Sequence, residues 1–256
     1  MPNSDDTSPQ PPAAPHALDL ELSRLGLDLT PEQRSAFERH LDLLEDWNER
    51  AGLTAIRDRD EVTRRLFGES LALLLSLRAD GVLEAGHAAR VADIGPGGGF
   101  PSVPMRIVDP SLQFVLIESQ RRRCEFLEAL VTELELDGVE VVNARAEEAG
   151  RAEALRGSFD LVVARAVAPL AVLVEYALPL LKVGGVLATP KGSRASEELT
   201  DAGAAISALG GVALEPLALS LPEGAPAQQV LVVRRDGTLD DRYPRRPGVP
   251  SKRPLR

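Results

Sequence analysis

The stretch VADIGPGGGFPSVP, residues 91–104, decides how this chain is read. It packs four glycines and three prolines into fourteen positions behind an apolar run. A strand that enters a glycine-rich turn and leaves it as a helix places a ligand at the carboxyl end of a parallel sheet. Three ligand classes use such a turn. A phosphate-cradling loop needs G-x-x-x-x-G-K-[ST], and no lysine follows these glycines. The dinucleotide fingerprint G-x-G-x-x-G fails in both registers, because Phe100 or Ser102 stands where the third glycine belongs. A dinucleotide loses support but stays open. The pattern that fits is D-x-G-x-G-x-G, from Asp93 to Gly99.

That third pattern is common in S-adenosylmethionine (SAM) methyltransferases. SAM carries no phosphate and needs bare backbone close to its methionine part, which glycine provides. Glu118 closes the next apolar run, FVLIES, 23 residues after Gly95. A carboxylate there accepts both ribose hydroxyls, which suits SAM or NAD and disfavours a 2′-phosphate. A third element, NARAEEA, is expected to be a strand ending at Ala146-Glu147, beside the adenine.

Outward from the loop the texture is uniform. RVADIG, FVLIES, VEVVNA, FDLVVAR and VLATPKG are short apolar runs separated by helical patterns. RRRCEFLEALVTELEL carries Leu127, Leu130, Val131 and Leu134 on one face, and PLAVLVEYALPLL is a helix ended by KVGG. Such alternation means a mostly parallel sheet covered on both faces. VALEPLALSL and QVLVVRRD are joined by residues 222–228, too short for a helical crossover, so they form an antiparallel hairpin. The fold class is therefore α/β: a Rossmann-like, mostly parallel seven-stranded sheet ending in that hairpin. Upstream, Thr30, Pro31 and Gln33 form a helix start, and Phe37, His40, Leu41, Leu44 and Trp47 recur at helical spacing. DEVTRRLFGESLALLLSL reads as another helix, with Gly81 just beyond it. The expected layout is a disordered leader at 1–17, a helical cap at 18–86, the ligand-binding domain at 87–236 and a basic tail at 237–256.

Composition narrows the function. No apolar stretch approaches the roughly 18 residues of a membrane span, and the start lacks the features of a signal peptide, so a cytoplasmic protein is expected. The single cysteine, Cys124, excludes a disulfide framework and a cysteine-based zinc site. The net charge of −10 argues against indiscriminate nucleic-acid binding. Yet six Lys/Arg and no acid fall between Arg242 and Arg256, a basic strip able to touch phosphates.

Together these blocks resemble one family. VADIGPGGGFPSVPMRI, LIESQRRRCEFLEAL, ARAEE, VVARAVAPLAVLVEYALPLLKVGG, PKG, the tail YPRRPGVPSKRPL and the upstream WNERAGLTAIRD are similar to the glucose-inhibited division protein B family. The likeness runs from about Leu41 to Leu255, in the family's order. It implies a class I SAM methyltransferase acting on N7 of a guanine in 16S ribosomal RNA, with S-adenosylhomocysteine (SAH) as the other product. Carried over by position, the SAM contacts fall on Gly95, Phe100, Glu118, Ser119, Gln120, Ala146, Glu147 and Arg165. Asn48, Arg123, Lys191, Arg245 and Arg246 are the expected RNA-facing residues. The expected partner is 16S rRNA, free or in a small subunit, and the protein itself is expected to be a monomer without metal or membrane.

The chain departs from the family pattern in four places. Gly52 replaces the asparagine of Asn-Leu-Thr, and Leu66 replaces a histidine ahead of Glu69-Ser70, which is usually Asp-Ser. Ser102 stands where a glycine follows Phe-Pro, and Gln228-Gln229 where Arg-His leads the last strand. Guanine N7 has a lone pair and no proton to remove, so no general base is expected. The alternatives are a SAM methyltransferase with another acceptor, an NAD-dependent oxidoreductase, and an RNA-binding protein with a vestigial pocket.

Overall fold

The computed structural model describes residues 16–255. The expected leader lies outside the described residues up to residue 15, and Ala17 already opens the first helix. The cap consists of α1 (Ala17–Leu25), α2 (Pro31–Ala51), α3 (Arg59–Val62) and α4 (Gly68–Ala79). A π turn, Thr63–Phe67, joins α3 to α4. Thr30 caps α2 through the Gln33 N–H, and Gln33 returns the bond to the Thr30 N–H, with Pro31 at the first helical position. The buried stripe of α2 holds Phe37, His40, Leu41 and Leu44, while Trp47 packs half-buried at its edge.

The sheet domain alternates as its pattern predicts. Its first half runs β1 (Arg90–Ile94), α5 (Ser102–Val108), β2 (Gln113–Glu118), α6 (Arg121–Glu133), β3 (Val139–Asn143) and α7 (Ala146–Ala149). Its second half runs β4 (Phe159–Ala164), α8 (Leu170–Ala177), β5 (Leu181–Lys191), α9 (Ala195–Asp201), α10 (Gly203–Ala208), β6 (Gly211–Ala213), β7 (Leu217–Ala218) and β8 (Gln229–Arg235). A short helix, α11 (Val249–Lys252), lies in the tail. The spatial order is β3-β2-β1-β4-β5-β8-β6, with β7 also paired to β8. Strands β1 to β5 run parallel, and β8 runs antiparallel to β5. The chain winds outward from β1 in both directions, so the β1–β4 boundary is the switch point where open α/β sheets bind ligands.

Three elements differ from the sequence reading. The sheet has eight strands rather than seven, because the first arm of the hairpin breaks into β6 and β7. Ala213 faces Val233, but Leu217 faces Val230, a slip of one residue. Pro216 sits in the gap, and a residue without an N–H cannot continue the ladder there. Helix α8 ends at Ala177, ahead of Pro179. KVGG belongs instead to an irregularity in β5, where the partners of Phe159 and Leu161 are Leu181 and Val186. Finally, β3 stops at Asn143, and Ala146 and Glu147 open α7.

The cap shares its core with the sheet. One apolar cluster joins Leu22, Phe37, Leu41 and Leu74 of the cap to Phe114, Leu116 and Val163 of the sheet. The opposite face of the sheet packs α8 and α10 and takes in Tyr243 of the tail. The tail is docked, not loose. Arg245 grips the fully buried Glu175 of α8 with its backbone N–H and its guanidinium, at 2.8 Å from Nε. Arg156 donates to the Tyr243 carbonyl, and the Gly248 N–H donates to Glu147. Hydrogen bonding to Glu175 comes first among the causes that raise the Arg245 pKa. Removing one partner leaves a buried charge uncompensated, so Arg245→Ala is expected to cost about 3–5 kcal/mol in urea unfolding. Arg246→Ala, at an exposed neighbour, is expected to change stability by less than about 0.5 kcal/mol.

Candidate active site

The glycine loop leaves β1 at Gly95, whose φ of 68° only glycine adopts without strain. Its N–H donates to the Ile117 carbonyl of β2, which turns the chain away from the sheet. Gly98 answers a different need. A Cβ there would come within 2.8 Å of Leu44 in the cap and 3.1 Å of the Phe100 ring. The cap therefore sits directly on the loop. His40 of α2 is fully buried, and its Nε2 lies 2.8 Å from the Gly98 carbonyl. A carbonyl only accepts, so Nε2 carries the proton and donates. The His40 ring stacks on Phe100 at 5.0 Å and 15°, and Phe67 of the π turn packs against both rings.

A cavity of about 470 Å³ opens above the loop, within the range of small-molecule sites. Its walls are Gly95 to Gly98, Phe100, Leu66 of the cap, Glu118, Ser119, Gln120, Arg123 and Arg165. A second cavity, about 230 Å³, shares Gly95, Glu118, Ser119 and Val167 with the first. It is lined by Ile94, Ile117, Ala146, Glu147, Tyr176 and Ser251, so the docked tail contributes one of its walls. Every expected SAM contact thus falls on this two-part space. Glu118 sits at the junction. One of its oxygens accepts the Gln120 N–H at 2.8 Å, and the other has no partner among the described residues. Glu147 is committed to the tail through Gly248.

Beneath the loop, burial pushes the Asp93 carboxyl up to about 8, against the opposing hydrogen bonds from Ser102. The Ser102 hydroxyl donates to one Asp93 oxygen at 2.6 Å, and the other oxygen has no partner. This gives the serine that replaces the family's glycine a structural purpose. Arg165, after β4, donates from Nη2 to Glu69 of α4 at 2.8 Å and to the Arg65 carbonyl, while its Nη1 is buried without a partner. The residues fit SAM. Glu118 brings a free carboxylate oxygen to the cavity wall, an acceptor of the kind that ribose hydroxyls need. Arg165 on the same wall carries a buried donor, Nη1, with no partner, beside the bare backbone of Gly95 to Gly98.

The expected RNA-facing residues divide. Arg123 lies on the cavity wall and donates to the Gly52 carbonyl at 2.8 Å. Arg246 is exposed. The other three serve the fold. Asn48 is buried and holds the following loop through the N–H groups of Leu53 and Thr54 and the Thr54 carbonyl. Lys191 donates to the Ala168 carbonyl and pairs with Glu198 at 2.9 Å. Arg245 is spent on Glu175. Sequence reasoning passed over His40, Asp93 and Glu69 as functional residues. The signals were present: a histidine inside an apolar stripe, an acid before a glycine loop, and a substituted Asp-Ser pair.

The family model for rRNA small subunit methyltransferase G (GidB) matches residues 33–223. The chain belongs to this family. Ribosomal RNA small subunit methyltransferase G of Streptococcus gordonii is 42% identical over 234 residues, covering 91% of this chain and 96% of that protein. The Lactococcus lactis protein of the same name is 39% identical, with 92% and 96% covered. Among solved structures, MtNAS in complex with MTA and tNA shares the fold, with a TM-score of 0.52 at 15% identity, covering 80% of this chain and 74% of that one. Membership of the methyltransferase G family and the β1–β4 switch point make this a class I SAM-methyltransferase fold carrying a helical cap.

Desolvation lowers the His40 pKa to about 4, so the folded chain holds a neutral ring. A histidine depressed in the fold contributes stability that is complete above its unfolded value of about 6.5 and is lost as pH falls toward the folded one. Urea unfolding of the wild type is expected to lose about 1 kcal/mol more than His40→Gln between pH 7 and 5.5. Equal losses in the two proteins would contradict the buried neutral ring.

Proposed function

We propose that this chain transfers the methyl group of SAM to N7 of a guanine in 16S rRNA. The observation that carries this reading is the two-part cavity with Glu118 at its junction and the clamped glycine loop as its floor. Family membership supports the RNA substrate. When bound, SAM supplies a methyl group made electrophilic by its sulfonium. Glu118 holds the ribose hydroxyls. The Ala146 side of the second cavity takes the adenine, and Gly95 to Gly98 let backbone approach the methionine part. Phe100 and Leu66 exclude water from the reacting end.

The walls of the larger cavity contain no His, Cys, Lys or Tyr. That suits an acceptor with no proton to lose. Orientation and exclusion of water carry the rate, a contribution worth up to about 7–11 kcal/mol. RNA docks at the mouth. Arg123 of α6 donates to the Gly52 carbonyl and Arg122 to the Arg50 carbonyl, so both arginines tie α6 to the end of α2. Arg50 lies over the Trp47 ring at 3.6 Å. These three arginines have no carboxylate partner among the described residues, and they offer phosphates a local positive strip on an acidic body. Arg246 adds an exposed cation from the tail. The reading carries action as a monomer in the cytoplasm. No described helix is long and apolar enough to cross a membrane.

The test uses small-subunit RNA from cells that lack the gene, methyl-labelled SAM and digestion to nucleosides. Label is expected in 7-methylguanosine at a single site, with none transferred to free guanosine. Label in another nucleoside, or NAD bound where SAM is not, would overturn the reading.

A further inference from the structure

Arg165 lines the cavity, yet only about a fifth of its side chain meets solvent, and its partner Glu69 is more enclosed still. The pair joins two parts of the fold. Glu69 comes from α4 of the cap, one turn after the cavity residue Leu66, and Arg165 follows β4 at the switch point. Glu69 is itself pinned, because Gln228, just ahead of β8, donates to its other oxygen at 3.2 Å. Leu66, Glu69 and Gln228 thus come together at this end of the cavity.

The chemistry of the reaction gives the pair a purpose. The lone pair of N7 forms the new carbon–nitrogen bond as the carbon–sulfur bond breaks, and sulfur keeps the bonding electrons. One positive charge passes from sulfur to the guanine ring, so the site faces a cation before and after transfer. A bare guanidinium in a poorly solvated wall opposes both. Arg65 adds to that positive field. We propose that Glu69 is a charge-balancing and positioning residue, which holds Arg165 at the cavity wall and cancels its charge so that the site accepts a sulfonium. This rests on the SAM-dependent reading above.

The test compares SAM with SAH, which lacks the transferred methyl and carries an uncharged sulfur. Dissociation constants are measured by calorimetry for the wild type, Glu69→Gln, Glu69→Asp and the double variant Glu69→Gln/Arg165→Gln. Glu69→Gln is expected to weaken SAM about tenfold and SAH less than twofold, because only SAM meets the exposed charge. Glu69→Asp keeps the charge and keeps the wild-type ratio. The double variant removes both charges and brings the ratio back within about twofold of the wild type. If SAM and SAH weaken together in Glu69→Gln, or neither changes, the inference is wrong and the function stands. Wild-type protein that binds neither ligand would overturn both.

Discussion

One buried hydrogen bond, from His40 to the Gly98 carbonyl, ties the glycine loop to the helical cap. A run of four glycines in five residues, Gly95 to Gly99, has little conformational preference of its own. The Gly99 and Phe100 amides close a turn on the Pro96 carbonyl, and the Gly95 amide bonds to β2. The cap fixes that turn through His40 at the Gly98 carbonyl, Leu44 against the Gly98 α-carbon, and the His40–Phe100 stack. The price is a histidine that stays neutral in the fold at ordinary pH. The same contacts explain why the cap shares one apolar core with the sheet instead of forming a separate domain.

The site then follows from topology and charge. Reversal of the winding at β1 brings the ends of β1, β2 and β4 to one crevice, so Gly95, Glu118 and Arg165 meet although they are far apart in sequence. Charges around the crevice are balanced locally. Ser102 serves the buried Asp93, Glu69 answers Arg165, and one Glu118 oxygen accepts the Gln120 N–H while the other has no partner among the described residues. The docked tail completes the far wall through Ser251 and holds Glu147 through Gly248. The tail is thus part of the pocket as well as a source of exposed cations.

Local order was legible in the residues. The apolar runs gave β1 to β5 and β8, the capping box gave the start of α2, and Gly95 and Glu118 share the wall of one cavity as their spacing suggests. Long-range pairing was not legible. Lys191 and Arg245 look like free cations in sequence, because the Ala168 carbonyl, 23 residues away, and Glu175, 70 residues away, become their neighbours only after the chain folds. Asn48 looks like a surface amide until the turn it closes is seen. The split of the hairpin arm at Pro216 was visible in principle, since proline removes a ladder hydrogen bond wherever it falls in a strand. His40 was placed on the correct face by its spacing, but the carbonyl it meets lies 58 residues away.

The central claim is that the loop is preformed by the cap before any ligand binds. Native-state hydrogen exchange of the ligand-free protein tests it most directly, at the hydrogen-bonded amides of Gly95, Gly99, Phe100 and Val103. If the cap holds the loop, these amides exchange as slowly as those in the middle of α2, in one cooperative opening. Fast exchange in the loop while α2 and β1 stay protected, with slow exchange restored only by SAH, would contradict it.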